Sequence, residues 1–137
     1  MTAMRAHFIL YVRDQGRSAR FYEEVLGCKP ALDVPGMTEF ALDGECVLGL
    51  MPEEGIQRLL GGKLPALEGA RGGPRAEVYL LVDDPRSFHA RALGRGAREL
   101  SALAVRDWGH ETAYSLDPDG HVLAFARALP VPPAPRC

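Results

Sequence analysis

Apolar and polar positions alternate along "HFILYVRD" (residues 7–14) and again along "EVYLLVDD" (residues 77–84). In the first stretch Phe8, Leu10 and Val12 oppose His7, Ile9 and Tyr11; in the second Val78, Leu80 and Val82 oppose Glu77, Tyr79 and Leu81. A period of two predicts a strand, and near-continuous apolarity predicts a strand covered on both faces. The period then lengthens. Tyr22, Val25 and Leu26 stand at i, i+3, i+4 within "GRSARFYEEVLG", which predicts a helix capped by Asp14 and stopped at Gly27. Asp84 followed by Pro85 is an N-cap with proline at the first helical position; Phe88, Ala92 and Leu93 supply that helix's apolar side, and Gly94 and Gly96 end it. Both aspartates read as caps, not as catalytic acids.

Each helix is followed by material for three more strands. In the first half these are Cys28–Val34, Met37–Leu42 and Cys46–Met51, with turns at "PG" and "DG". In the second half they are Arg98–Asp107, Glu111–Leu116 and His121–Arg127, the last two joined by "DPDG". The late hairpins resemble each other too, "FALDGECVLGL" against "YSLDPDGHVLAFA". The repeat therefore covers a whole β-α-β-β-β unit, twice, and the fold class is α+β. We expect one domain over residues 1–128, with module one at about 5–52, a connector at about 53–75 and module two at about 76–127. The connector holds a short helical segment, "EEGIQRLLGG", whose Ile56, Leu59 and Leu60 read as a packing patch. Residues 129–137, rich in proline, read as a disordered tail. Duplicated units pair by pseudo-symmetry, so the two modules are expected to form a curved mixed sheet around a cleft, with positions 7 and 77 facing each other.

Composition narrows the function classes. A hydrophobic share of 47% and a charged share of 25% are those of an ordinary globule. The net charge of −2 comes from scattered residues, with no basic stripe for nucleic acid. No apolar run approaches membrane-spanning length and no export signal is visible, so a cytoplasmic protein is expected. Cys28, Cys46 and Cys137 show no CxxC spacing; they read as reduced thiols, with Cys28 and Cys46 in the core. No glycine-rich stretch follows a strand as a phosphate loop would, and Ser18, Ser87, Ser101 and Ser115 lack a nucleophile-elbow context. His89 and His121 read as surface residues, and Asp117 and Asp119 as turn residues.

The segments "HFILYVRD…SARFYEEVLG", "EVYLLVDD" and "DWG…DPDGHVLAFA" together resemble the vicinal oxygen chelate superfamily, which includes glyoxalase I, extradiol dioxygenases and bleomycin-resistance proteins. The resemblance spans residues 5 to 127. It implies one divalent metal held by four side chains, one from the first and one from the last strand of each module. His7 and Glu77 stand at the two first-strand positions, and both are competent donors. The last-strand position of module two falls on Ala124, and that of module one on Gly49, or on Leu48 if the hairpins are aligned by their glycines. None of these three offers a donor. Two ligands are too few for a divalent ion that ordinarily takes at least three from protein. His110 and Glu111 are the possible substitutes, since one of them should face the cleft.

The remaining walls of the expected cleft are Ile9, Tyr11, Leu50, Tyr79, Leu81 and Ala124, with Trp108 on the loop before the penultimate strand; Phe40 and Tyr114 join if their strands face that way. Such an apolar and aromatic lining with a few polar points suits an organic ligand. The favoured reading is a glyoxalase/bleomycin-resistance-like protein that binds or sequesters a small, partly aromatic molecule without metal, Tyr11, Tyr79 and Trp108 supplying stacking area and His7 and Glu77 anchoring polar groups. It leans away from catalysis and favours no cofactor. A second reading is a metal-dependent lyase or dioxygenase with a relocated ligand set of His7, Glu77 and His110 or Glu111. A third is a non-catalytic protein-interaction scaffold. The resemblance further implies a homodimer.

Overall fold

The computed structural model describes residues 6–70 and 73–130; the expected tail lies outside the described residues from position 131 onward, as does Cys137. The chain divides into two compact units, Met1–Ala76 and Glu77–Cys137, split where module two was expected to begin.

The first unit runs β1 (Ala6–Val12), α1 (Gln15–Leu26), β2 (Leu32–Val34), β3 (Met37–Ala41), β4 (Cys46–Pro52) and α2 (Glu53–Leu60), followed by two short 3₁₀ turns. Its sheet has the order β1-β4-β3-β2, with β1 parallel to β4 and the other pairs antiparallel. The second unit repeats the plan: β5 (Glu77–Leu81), α3 (Pro85–Gly94), β6 (Arg98–Val105), β7 (His110–Leu116) and β8 (Val122–Ala128), ordered β5-β8-β7-β6 with β5 parallel to β8. A parallel first pair requires a crossover, and the helix supplies it. Each unit is thus a four-stranded mixed sheet with the crossover helix packed on one face.

The expected caps are in place. The Asp14 carboxylate accepts the backbone N–H of Arg17 at 3.0 Å, and Gly27, at φ +75, closes α1 in the left-handed region. The Asp84 carboxylate accepts both the hydroxyl and the backbone N–H of Ser87. Those two hydrogen bonds, chiefly the one from the hydroxyl, hold the Asp84 carboxyl below its ordinary value. Period two decides what lies beneath each helix. Leu10, Val12, Phe40, Leu48 and Leu50 are buried, as are Phe21, Tyr22 and Val25 of α1, and the Tyr22 ring lies 6.5 Å from that of Phe40. In the second unit Phe88 of α3 meets Phe125 of β8 at 5.4 Å over buried Ala92, Ala113 and Leu123. Each large side chain so buried contributes about 1.5–3 kcal/mol.

Several expectations need correction. Cys28 is exposed, because the chain leaves α1 through Gly27 into a turn and β2 starts only at Leu32. Of the three apolar residues of α2 only Ile56 is buried; Leu59 and Leu60 are exposed, since an eight-residue helix turns one narrow stripe inward. His89 is buried, not on the surface. It shares the inner face of α3 with Pro85 and Ala92 at i−4 and i+3, and its Nε2 lies 2.9 Å from Glu99 Oε2 on β6. His121 is buried as well: the Asp117 carboxylate accepts the backbone N–H groups of Asp119 and His121, both at 2.9 Å, which folds the "DPDG" turn back over it.

One polar clamp ties α1 of the first unit to its sheet. The Gln15 amide nitrogen donates to Val34 O at 2.8 Å and to Thr38 Oγ1 at 2.9 Å, and its oxygen accepts the Gly36 N–H at 2.9 Å. Thr38 is fully buried, and its hydroxyl donates in turn to Asp33. Replacing Gln15 by Ala leaves these groups unpaired and should destabilise the protein by roughly 1–3 kcal/mol. Urea denaturation of the Gln15→Ala variant checks this; an unchanged midpoint would show that the clamp contributes nothing.

Candidate functional site

Residues directly opposite each other in a sheet point to the same face. In the second unit Tyr79 stands opposite Ala124, and Ala124 opposite Tyr114. By the same register Glu77, Leu81, His110, Thr112 and Ala126 belong to the Tyr79 face, whereas Ala113 and Phe125 lie under α3. Ala124 and Ala126 are small and fully buried, which leaves room for the Tyr79 side chain to cross β8 and reach β7.

The Tyr79 hydroxyl organises the face. It lies 2.7 Å from His110 Nδ1 and 3.0 Å from Thr112 Oγ1, and it accepts a hydrogen bond from the indole N–H of Trp108 at 2.9 Å. A phenol offers one donor and two acceptor sites. With Trp108 on one acceptor site, two proton arrangements remain. Either Tyr79 donates to His110 and accepts from Thr112, or it accepts from His110 and donates to Thr112. Both saturate the hydroxyl, so what a ligand meets is the Tyr79 ring, the far nitrogen of His110 and the indole. Trp108 is 55% exposed. It sits on a tight turn in which Gly109 donates to Arg106 O at 3.2 Å and Arg106 N to His110 O at 2.8 Å, with Gly109 at φ +86.

Arg106 is a residue that sequence reasoning missed. The β6–β7 register shifts twice, between Glu99 and Ser101 and between Ser101 and Ala104. The Arg106 guanidinium fills the irregularity: Nε donates to Thr112 O, and Nη2 to Thr112 O, Ala102 O and Ser101 Oγ, at 2.7–3.2 Å. Its carbon lies 5.1 Å from the centre of the Tyr114 ring. Burial, then the charge of Glu77 and the neighbouring Tyr79, push the Tyr114 phenol above its ordinary value, while Arg106 opposes them.

In the first unit His7, Ile9 and Tyr11 share a face with Val47, Gly49 and Met51. Leu50 does not: it stands opposite Leu10 and Thr38 and is fully buried on the face that α1 covers, so the expected wall residue is core. Leu48 and Phe40, opposite each other, are likewise buried there. Gly49, not Leu48, is therefore the counterpart of Ala124. A Cβ added at Gly49 would come 2.5 Å from Ile9 Cδ1. The space that a donor at position 49 would enter is filled by isoleucine. The carboxylate beside His7 is Glu39, Oε2 lying 3.3 Å from the His7 Nδ1. Glu39 is the cross-strand partner of Gly49. The "DG" turn at 43–44 carried that pairing, which a reading confined to first and last strands passed over.

Taken unit by unit, each pair of positions that the superfamily uses for metal supplies one donor: His7 with Gly49, and Glu77 with Ala124. Among the described residues no three His, Cys, Asp or Glu side chains converge. The residues present do not fit the four-donor set. His110 shares the Tyr79 face, but Glu111 lies on the other side of β7, where its carboxylate accepts from Arg127 at 2.6 and 2.9 Å. A surface cavity of about 360 Å³ opens there, lined mainly by charged side chains, among them Asp83, Arg86, Glu111 and Arg127. Such a lining does not suit a partly aromatic molecule.

Two outcomes test this geometry. Gly49→Ala should cost about 1 kcal/mol through overpacking against Ile9, and Ile9→Val, which removes Cδ1, should recover most of that cost in the double variant. Denaturation midpoints of the four proteins measure it, and additive effects would show that the two positions do not compete for space. The Tyr114 phenolate should form above the ordinary tyrosine value of 10.0, and Glu77→Gln should bring it back down. Ultraviolet titration with Tyr114→Phe as the blank reads both. Because the folded-state value is raised, stability from this group is present below pH 10 and is lost as the pH rises further.

Comparison with known proteins bears on the same units. A glyoxalase-related enzyme from Fulvimarina pelagi superposes with a TM-score of 0.77 at 23% identity, covering 92% of this chain and 88% of that one. A glyoxalase/bleomycin resistance protein/dioxygenase family enzyme from Burkholderia phytofirmans PsJN does so with a TM-score of 0.77 at 18% identity, covering 90% and 97%. At those identities the likeness is one of fold. An uncharacterised protein of Mycobacterium bovis is 27% identical over an alignment of 119 residues that covers 82% of this chain and 75% of that protein. Among the described residues no helix is long and apolar enough to cross a membrane. Residues 5–125 match the model of the Glyoxalase/Bleomycin resistance protein/Dioxygenase superfamily, and on that match, with a β-α-β-β-β unit in each half, the chain belongs to that superfamily.

Proposed function

We propose that this chain binds a small, planar, partly aromatic organic molecule on the Tyr79 face of its second unit, and that it does so without a metal. The observation that carries the reading is the saturated Tyr79 hydroxyl, which holds the largely exposed indole of Trp108 in place. An exposed tryptophan ordinarily forfeits apolar burial; one that is also hydrogen-bonded into a rigid turn is preorganised for stacking. Beside it lie the Tyr79 and Tyr114 rings, with His110 offering a polar point, the usual balance of an organic-ligand site. The metal-free part rests on chemistry: Gly49 and Ala124 have no donor atoms, and Ile9 occupies the room beside Gly49. The chain's own residues then bind and orient the ligand; no bond-making step is assigned to them.

The test uses the one tryptophan in the sequence as reporter. Protein titrated with a library of planar aromatic compounds in the presence of a chelator should give saturable thermal shifts, and each binder should move the single indole N–H resonance. Trp108→Ala should weaken those binders roughly threefold to tenfold. Absence of any saturable binder would overturn the reading in favour of an interaction scaffold. Stoichiometric metal in protein purified without chelator, lost in His7→Ala and Glu77→Ala, would overturn it in favour of a metal-dependent enzyme.

A further inference from the structure

We infer that the ligand of the Tyr79 face carries an anionic oxygen group, a carboxylate in the simplest case, and that Arg106 reads it. The inference rests on the binding reading above and adds the chemical class.

A guanidinium has five N–H donors. In Arg106 the Nε and Nη2 donors are spent on the irregular stretch between β6 and β7, reaching two carbonyls and the Ser101 hydroxyl. The two donors of Nη1 have no partner among the described residues, and no carboxylate there lies within ion-pair distance of this arginine. Carbonyl dipoles and the Tyr114 ring cushion the charge without neutralising it. The arginine is half-buried, so solvent screens it less than it would a surface side chain. A charge immobilised by several hydrogen bonds with one nitrogen left over is preorganised for an anion, because the entropy of fixing the long side chain is already spent.

A plain structural plug would account for the bulge contacts alone. It would not account for the guanidinium lying over Tyr114, on the same face as the Trp108–Tyr79 pair. A ring stacked on the Trp108–Tyr79 pair, with a substituent directed toward Tyr114, therefore brings that substituent near the guanidinium. Glu77 shares the face, but on the far edge strand of the order β5-β8-β7-β6. The guanidinium lies over Tyr114 on β7, two strand spacings or about 10 Å from β5. Glu77 acts on the Tyr114 phenol and so opposes an anion there, but the guanidinium would touch the anion directly and outweighs that more distant charge.

The experiment compares matched acids and amides: benzoate with benzamide, 4-hydroxybenzoate with 4-hydroxybenzamide, and 2-naphthoate with 2-naphthamide. Each is titrated into the full chain at neutral pH while the Trp108 indole resonance is followed. The expected result is a preference of about tenfold for the acid within at least one pair, shrinking as salt is raised. In Arg106→Met the acid should fall to the affinity of its amide while the amide stays within about twofold of its original value. Should that variant fail to fold, Arg106→Lys serves: it keeps the charge and loses the fork, and should retain a weaker, salt-sensitive preference. Equal binding of acid and amide by the unaltered protein overturns the inference and leaves the binding reading standing. A preference that survives Arg106→Met overturns it as well. If no member of any pair moves the indole resonance, the binding reading falls and the inference with it.

Discussion

Tyr79 and Ala124 stand side by side because the first strand of the second unit pairs in parallel with its last, and in the first unit the same constraint sets Ile9 beside Gly49. Everything on these faces follows from that register. A slip of one residue would turn Leu10 and Val12, or Phe125 and Leu123, away from the helix and forfeit several kcal/mol of burial, so the pairing is strongly specified. Once it is specified, the odd residues of the first strand must share space with residues 49 and 124. Ile9 takes that space in one unit. In the other a tyrosine extends across an alanine to reach Thr112 and His110. Small residues in the last strand and large ones in the first are therefore two sides of one packing solution.

The second unit builds a polar network on this arrangement. Its polar groups are largely committed to one another: the Tyr79 hydroxyl to three partners, the Arg106 guanidinium to the bulge, Glu111 to Arg127 on the far side of the sheet. What remains available is π surface, one imidazole nitrogen and one guanidinium nitrogen. Each is held by contacts already made within the unit, so little ordering is left for a ligand to bring about. The irregular pairing of β6 with β7 is part of the design; it opens the carbonyls that pin Arg106. The first unit carries different contacts. Its face carries His7 and Glu39 as a polar pair beside Ile9, and its strongest polar contacts, those of Gln15, secure the helix to the hairpin.

Legibility in the sequence divides along the range of the interactions. Period two in residues 7–12 and 77–82, the Asp14 and Asp84 caps, the Gly27 stop and the "DG" and "DPDG" turns all act within a few residues, and each predicted element formed within a few residues of its expected bounds. Which face a side chain takes is less legible. Leu50 falls on the face of β4 that α1 covers, not on the expected cleft wall, and His89 shares the inner stripe of α3 with Pro85 and Ala92, not the surface. Cys28 and Leu59 were judged by their apolar neighbours in sequence, but a turn and a narrow helix face left them exposed.

By itself the sequence determined the two β-α-β-β-β units, because periodicity and capping are local properties. The tertiary structure alone decided that Ile9 fills the space beside Gly49, that Glu39 is the carboxylate at His7, and that Tyr79 gathers Trp108, His110 and Thr112 around one oxygen. It also decided where Arg106 points. These contacts join residues 4 to 40 positions apart through strand register and a bulge, and no local pattern encodes which side chain, among several of similar kind, will reach another.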